Sequence, residues 1–161
     1  MIEDAFSSVP YPGDANITIH NENCWECAEV AAKYKGRRWQ DYKDRPLDLV
    51  GPPIRDAFLF FTPQAFRYYA PLAMLAIVET PKEVDMLSDY FFHSLTPISG
   101  DHASENAARM GSFSADELRA LRLVLRFAAH GPLRLADGPE KTTVSSLIKD
   151  INMRLKHRGS L

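Results

Sequence analysis

The residues with the strongest chemical signature early in the chain are Cys24 and Cys27, with His20 four positions before the first. Thiolate and imidazole ligands at these spacings can meet at one tetrahedral zinc ion. A closed site needs a fourth ligand. The chain holds no other cysteine, so His93, His102, His130 or a carboxylate would have to supply it. One C-x-x-C is half of a specific signal. Two reduced thiols packed on a helix face, one turn apart, are the plainer reading. A redox pair is the third, but thioredoxin-like chemistry normally rides on a strand-helix-strand unit, and this sequence shows none.

Asp85, Asp89 and His93 form a second set at i, i+4 and i+8, a spacing that shares one helix face. Such a face suits metal binding or proton transfer. Charged residues opposite an apolar stripe are also the ordinary outcome of amphipathicity. Arg119, Arg122 and Arg126, loosely continued by Arg134, make a basic stripe that reads as a solvated helix face or as a contact for phosphate or an acidic partner. The aromatic set Phe58, Phe60, Phe61, Phe66, Tyr68, Tyr69, Phe91 and Phe92 can stack on bases, yet it lies on the most apolar segments and reads as core. Arg67 falls within that set and needs a partner if buried: Asp56, Glu79 or a backbone carbonyl. No G-x-S-x-G, P-loop or H-E-x-x-H is present. The expectation is a protein with no catalytic residues, no resident metal and no cofactor.

The charge pattern points to contact instead. The net charge of −2 over 161 residues lacks the basic excess of a dedicated nucleic-acid binder. Residues 1 to 32 carry Glu3, Asp4, Asp14, Glu22, Glu26 and Glu29 without a Lys or Arg; Lys33, Lys35, Arg37, Arg38, Lys43 and Arg45 follow. Such blocks neutralise one another in the fold or form a recognition surface. The expected contact residues are Glu22, Glu26, Glu29, Asp85 and Asp89, facing a protein partner. The start of the chain has neither the basic residues nor the apolar run of a signal peptide, so a cytoplasmic location is expected. The apolar segment 57–78 contains Pro63, Gln64, Arg67 and Pro71, which fits a buried helix better than a membrane span.

The elements that must hold these groups are helices. A short one is expected over residues 2–8, before the Pro- and Gly-rich stretch at 9–13. Asn23 with Glu26 makes a variant capping box for a helix that stops near Gly36. Residues 37–53 read as irregular with one helical turn, and 53–60 as a helix presenting Ile54, Phe58 and Phe61. Thr62-Pro63 starts a helix over 63–79, with a kink expected at Pro71. Thr80-Pro81-Lys82-Glu83 repeats the start signal ahead of the stripe Val84, Leu87, Phe91 and Leu95. A weak helix follows at 101–110. Ser114 and Glu117 then cap a helix with Leu118, Leu121, Leu125 and Ala128 inside, ending at Gly131-Pro132. A linker over 132–142 leads to an amphipathic helix at 143–158, a candidate assembly element for a homo-oligomer. Only residues 16–20 alternate as a strand would. The expected architecture is all-α: one helical domain of about six to seven helices.

Several segments recur together: Ala5-Phe6, Cys24-x-x-Cys27-x-Glu29, the run from Ala57 through Phe60-Phe61-Thr62-Pro63-x-Ala65-Phe66-Arg67-Tyr68-Tyr69-x-Pro71, and Ser94-Leu95-Thr96-Pro97. In this the chain resembles a family of small bacterial proteins that carry a domain of unknown function. The resemblance spans roughly residues 2–130 and implies a compact helical fold without assigning an activity. Small bacterial proteins of this kind often sit beside toxin genes as immunity proteins. The expected function is therefore a non-enzymatic protein-binding domain, an immunity protein neutralising a bacterial toxin domain, with no nucleic-acid or membrane partner. The alternatives are a sensor or enzyme binding metal through His20, Cys24 and Cys27, and a homo-oligomeric regulatory protein.

Overall fold

One helix organises the molecule because its sequence is apolar nearly all round. Pro63–Glu79 (α5) buries a continuous series from Tyr68 through Ile77, so partners must cover it on every side. Its start is fixed as the sequence predicts. The Thr62 hydroxyl accepts the Ala65 N–H at 3.1 Å and donates to the Asn16 carbonyl at 2.6 Å. One side chain thus caps the helix and ties it to the preceding loop. The helix runs on through Pro71 to Glu79.

The structure is a computed structural model describing residues 1–20, 24–84, 86–96, 102–130 and 139–159. Among the described residues the fold is all-α, a single compact domain of nine helices. Besides α5 they are Ile2–Phe6 (α1), Trp25–Tyr34 (α2), Leu47–Val50 (α3), Ala57–Phe60 (α4), Leu87–His93 (α6), Ala103–Ser112 (α7), Ala115–His130 (α8) and Pro139–Arg158 (α9). Single 3-10 turns at Asp14–Asn16 and Trp39–Tyr42 complete the described elements. Around α5 pack α1, α3, α6, α7 and α8, while α9 lies outside against α8 and α6, and α2 covers α4. One core runs from Ile2 to Ile151. Its centre is aromatic: Phe66 stacks on Phe91 at 5.3 Å, and Phe58 meets Phe61, Phe66 and Phe91 edge-on at 5.1–5.2 Å. No described helix is long and apolar enough to cross a membrane.

Several boundaries differ from expectation, each for a local reason. Cys24, not Asn23, caps α2; Asn23 lies outside the described residues. The Thr80-Pro81 signal ends a helix instead of starting one. The Thr80 hydroxyl donates to the Ala76 carbonyl at 3.0 Å, and the Glu83 N–H closes a turn on the Thr80 carbonyl at 2.9 Å. The next helix begins only at Leu87, although Val84, Leu87, Phe91 and Leu95 are all buried as their spacing predicts. The helix expected over 53–60 is a single turn at 57–60, preceded by a turn at residues 52 and 53 and by three residues without regular structure. The last helix begins at Pro139, inside the expected linker. The alternating stretch at 16–20 makes one antiparallel bridge, Thr18 with Phe61, supported by Ile19 N–H to the Phe60 carbonyl at 2.8 Å.

Candidate functional site

The charge blocks meet at two points among the described residues. Lys43 pairs with Glu3 at 2.9 Å, and Asp14 accepts the Gly36 N–H at 3.0 Å. Gly36 stands at φ +68, a conformation that favours glycine at this helix end. Arg67 finds none of the three expected partners. It makes a bidentate pair with Glu117 on α8, at 2.8 and 2.7 Å. The same carboxylate accepts the Ser114 N–H, while the Ser114 hydroxyl accepts the Glu117 N–H. The capping box read from sequence therefore also supplies the counter-ion of α5. Sequence spacing misses the pair because its members lie fifty residues apart.

A cleft of about 640 Å³ opens between the segment holding Ile19 and His20, α4, α6, α7 and α9. Its walls are apolar: Ile19, Leu59, Phe60, Phe92 and Val144. Its polar groups converge from separate elements. Asp89, Tyr90 and His93 come from one face of α6, His20 from the segment before α2, His102 from the start of α7, and Thr143 from α9. The three imidazoles are exposed and Asp89 is half-buried. None of these connections follows from the motif spacing except that between Asp89 and His93.

Below the rim sit two buried polar residues that the sequence reading did not single out. Asn106 and Arg109 are each 2% exposed and occupy one face of α7 at i, i+3. The Asn106 amide donates to the carbonyls of His93 and Thr96 at 3.2 and 3.0 Å, holding the end of α6. Its oxygen accepts Arg109 Nη1 at 2.9 Å. The rest of the guanidinium donates to the carbonyls of Leu59 and Phe61, at 2.8 to 3.2 Å, where the chain leaves α4. Its charge also lies 5.6 Å from the Phe66 ring. No carboxylate contacts it among the described residues. Burial lowers its pKa to about 10, with the Glu105 charge pulling slightly the other way. It is therefore still a cation at neutral pH, compensated by carbonyl dipoles and facing the cleft. The available signal was an arginine and an asparagine on the apolar side of a strongly amphipathic helix, beside Met110.

The expected contact residues divide. Glu26 and Glu29 are exposed on α2 and do not line the cleft; Asp89 does. Glu22 and Asp85 lie outside the described residues. At the start of α2, Trp25 is 69% exposed, the largest apolar side chain on the described surface. Cys24 and Cys27 are free thiols. Among the described residues, no three His, Cys, Asp or Glu side chains come together to hold a metal ion. The cleft offers imidazoles and a carboxylate that can donate, accept and relay protons, above a fixed cation and apolar walls. No family model, curated protein or solved structure matches this chain.

Proposed function

We propose that this protein acts by binding a protein partner, holding an apolar side chain of that partner in the cleft; neutralising a toxin domain is the specific form of this reading. The observation that carries it is the open, apolar-walled cleft with a polar rim. Interfaces draw most of their energy from a few large side chains seated in such pockets and surrounded by polar contacts. Trp25 supports the reading: a tryptophan left 69% in water is the side chain most often found at interface hot spots. It stands beside Glu26 and within a turn of Glu29, both exposed, which suits a partner with basic groups at its rim.

The test uses paired baits. Thr143 is half-buried on the cleft wall, so Thr143→Trp fills the cleft without entering the core. The supporting result is a partner from the native host that binds the wild-type protein directly once purified. Thr143→Trp and Trp25→Ala should each weaken it at least about tenfold, or about 1.4 kcal/mol. A partner indifferent to both substitutions removes the reading, as does the absence of any direct partner.

A second reading, a small organic anion as occupant, is favoured by one observation: Arg109 brings to the cleft a buried cation with no bonded carboxylate among the described residues. The volume also lies within the usual range for small-molecule sites. Thermal-shift titration with apolar carboxylates, repeated on Thr143→Trp, separates this from the first reading.

A further inference from the structure

The cysteine pair is not part of the cleft, and its local geometry has a use of its own. Cys24 occupies the N-cap of α2 with extended backbone, φ −121 and ψ 100, and its Sγ accepts the Cys27 N–H at 3.2 Å. A cap position normally holds an oxygen acceptor. A sulfur placed there faces the N–H groups that the first turn of the helix leaves unpaired. Cys24 is half-buried and reachable, whereas Cys27, one turn further, is 1% exposed. Burial pushes the Cys27 thiol up to about 11, and its hydrogen bond to the Cys24 sulfur adds to the rise; a backbone hydrogen bond from His20 counters part of it. One sulfur is therefore presented and the other withheld, within contact of each other. That division of labour needs only a helix N-terminus, so the missing strand-helix-strand setting does not count against it.

We propose that Cys24 and Cys27 form a reversible dithiol-disulfide couple that exchanges with a small accessible disulfide, Cys24 attacking and Cys27 resolving. In the first step the Cys24 thiolate attacks one sulfur of the small disulfide. The S–S bond breaks, Cys24 joins that sulfur in a mixed disulfide, and the other half leaves as thiolate. In the second step Cys27 attacks the Cys24 sulfur. The mixed disulfide breaks, the Cys24–Cys27 bond forms, the second half leaves, and the Cys27 proton passes to it. Two protein thiols are oxidised and one external disulfide is reduced to two thiols.

The probe is oxidised glutathione applied to the reduced full chain, read by intact mass and free-thiol titration. The wild-type protein should lose both thiols, become lighter by two hydrogens without retaining glutathione, and recover with dithiothreitol. Trp25 lies between the two cysteines, so the signal lost on substituting Trp25→Phe should report the same transition by fluorescence. Cys27→Ser should stop at a stable glutathione adduct on Cys24, and Cys24→Ser should form none. In the wild-type protein, without any substitution, alkylation should label Cys24 first. Cys27 should react more slowly than an ordinary exposed thiol, because it is 1% exposed and burial raises its pKa. A wild-type chain that keeps both thiols, that accumulates the adduct without closing, or that alkylates at Cys27 first overturns the proposal. None of these results depends on whether the cleft binds a partner.

Discussion

At the scale of single residues, one half-buried and one buried cation show how a charge can be held by different means. Arg67 has a carboxylate, Glu117, which is itself 2% exposed in its side chain while Arg67 remains 31% exposed. The pair is bidentate, and the charge-assisted geometry makes it stronger than an ordinary surface bridge. Partial exposure of the arginine screens it. Glu117→Gln keeps the shape and the cap but removes the charge, and should cost about 1–2 kcal/mol. A urea midpoint unchanged from wild type would show that the pair contributes nothing. Arg109 instead has three oxygen acceptors, the carbonyls of Leu59 and Phe61 and the Asn106 side chain. Replacing it with methionine relieves a desolvated charge but leaves those acceptors buried and bare. Orphaned acceptors cost about 1–3 kcal/mol each, so the loss wins, and Arg109→Met should destabilise by about 2 kcal/mol net. The substitution also removes the cation from the cleft. An anion that binds through Arg109 should then fail in a fluorescence or thermal-shift titration, while the apolar pocket persists.

At the scale of elements, the last helix turns the centre of its amphipathic stripe into the core. Val144, Leu147 and Ile151 are at most 2% exposed and belong to the same core as α8 and α6. Ile148 and Leu155, on the same stripe, are only partly buried against that core. Each of the three buried side chains contributes roughly 2 kcal/mol on burial, so ending the chain before Pro139 should remove roughly 6 kcal/mol, close to the whole stability of many domains. The truncated protein should lose its cooperative thermal transition and bind an apolar dye; an unchanged melting curve would contradict this. The elements themselves were largely legible. Thr62-Pro63 placed α5, and Ser114 with Glu117 placed α8, because capping is a local interaction written within four residues. Thr80-Pro81 misled because the same hydroxyl chemistry can also close a helix end: the Thr80 oxygen turned back to Ala76. Which way a Thr points is decided by what α5 and α6 pack against, and local pattern does not contain that.

At the scale of the whole molecule, the cleft was illegible for the same reason in stronger form. His20, Asp89, His93 and His102 come from segments up to 82 residues apart in the sequence, and only tertiary packing brings them to one opening. Packing also fixes how stability depends on pH. Cys27 titrates near 9.0 when unfolded and about 11 when folded, because burial penalises its thiolate. Below about pH 9 the thiol is neutral in both states and its contribution is complete. Above it the unfolded chain sheds a proton that the folded chain keeps, so stability falls with rising pH, by up to about 2–3 kcal/mol across the window. Tyr34 and Tyr69 act in the same direction from pH 10.0 upward. Burial raises both above that value, and the Tyr69 hydroxyl donates to the carbonyls of Tyr34 and Arg37, bonds that ionisation would break. Arg109 opposes them: its pKa is depressed to about 10, so above that pH the unfolded chain holds the extra proton. The window in which Cys27 can be read is therefore about pH 9 to 10, below the ordinary tyrosine range, with Lys33, whose pKa burial lowers, opposing the decline. Urea unfolding followed by circular dichroism should show the midpoint declining through it. Cys27→Ser, whose hydroxyl does not titrate there, should flatten the decline even though the variant starts less stable. A wild-type midpoint that stays level to about pH 10 would mean that the thiol is not held neutral by the fold, and the asymmetry between the two sulfurs would go with it.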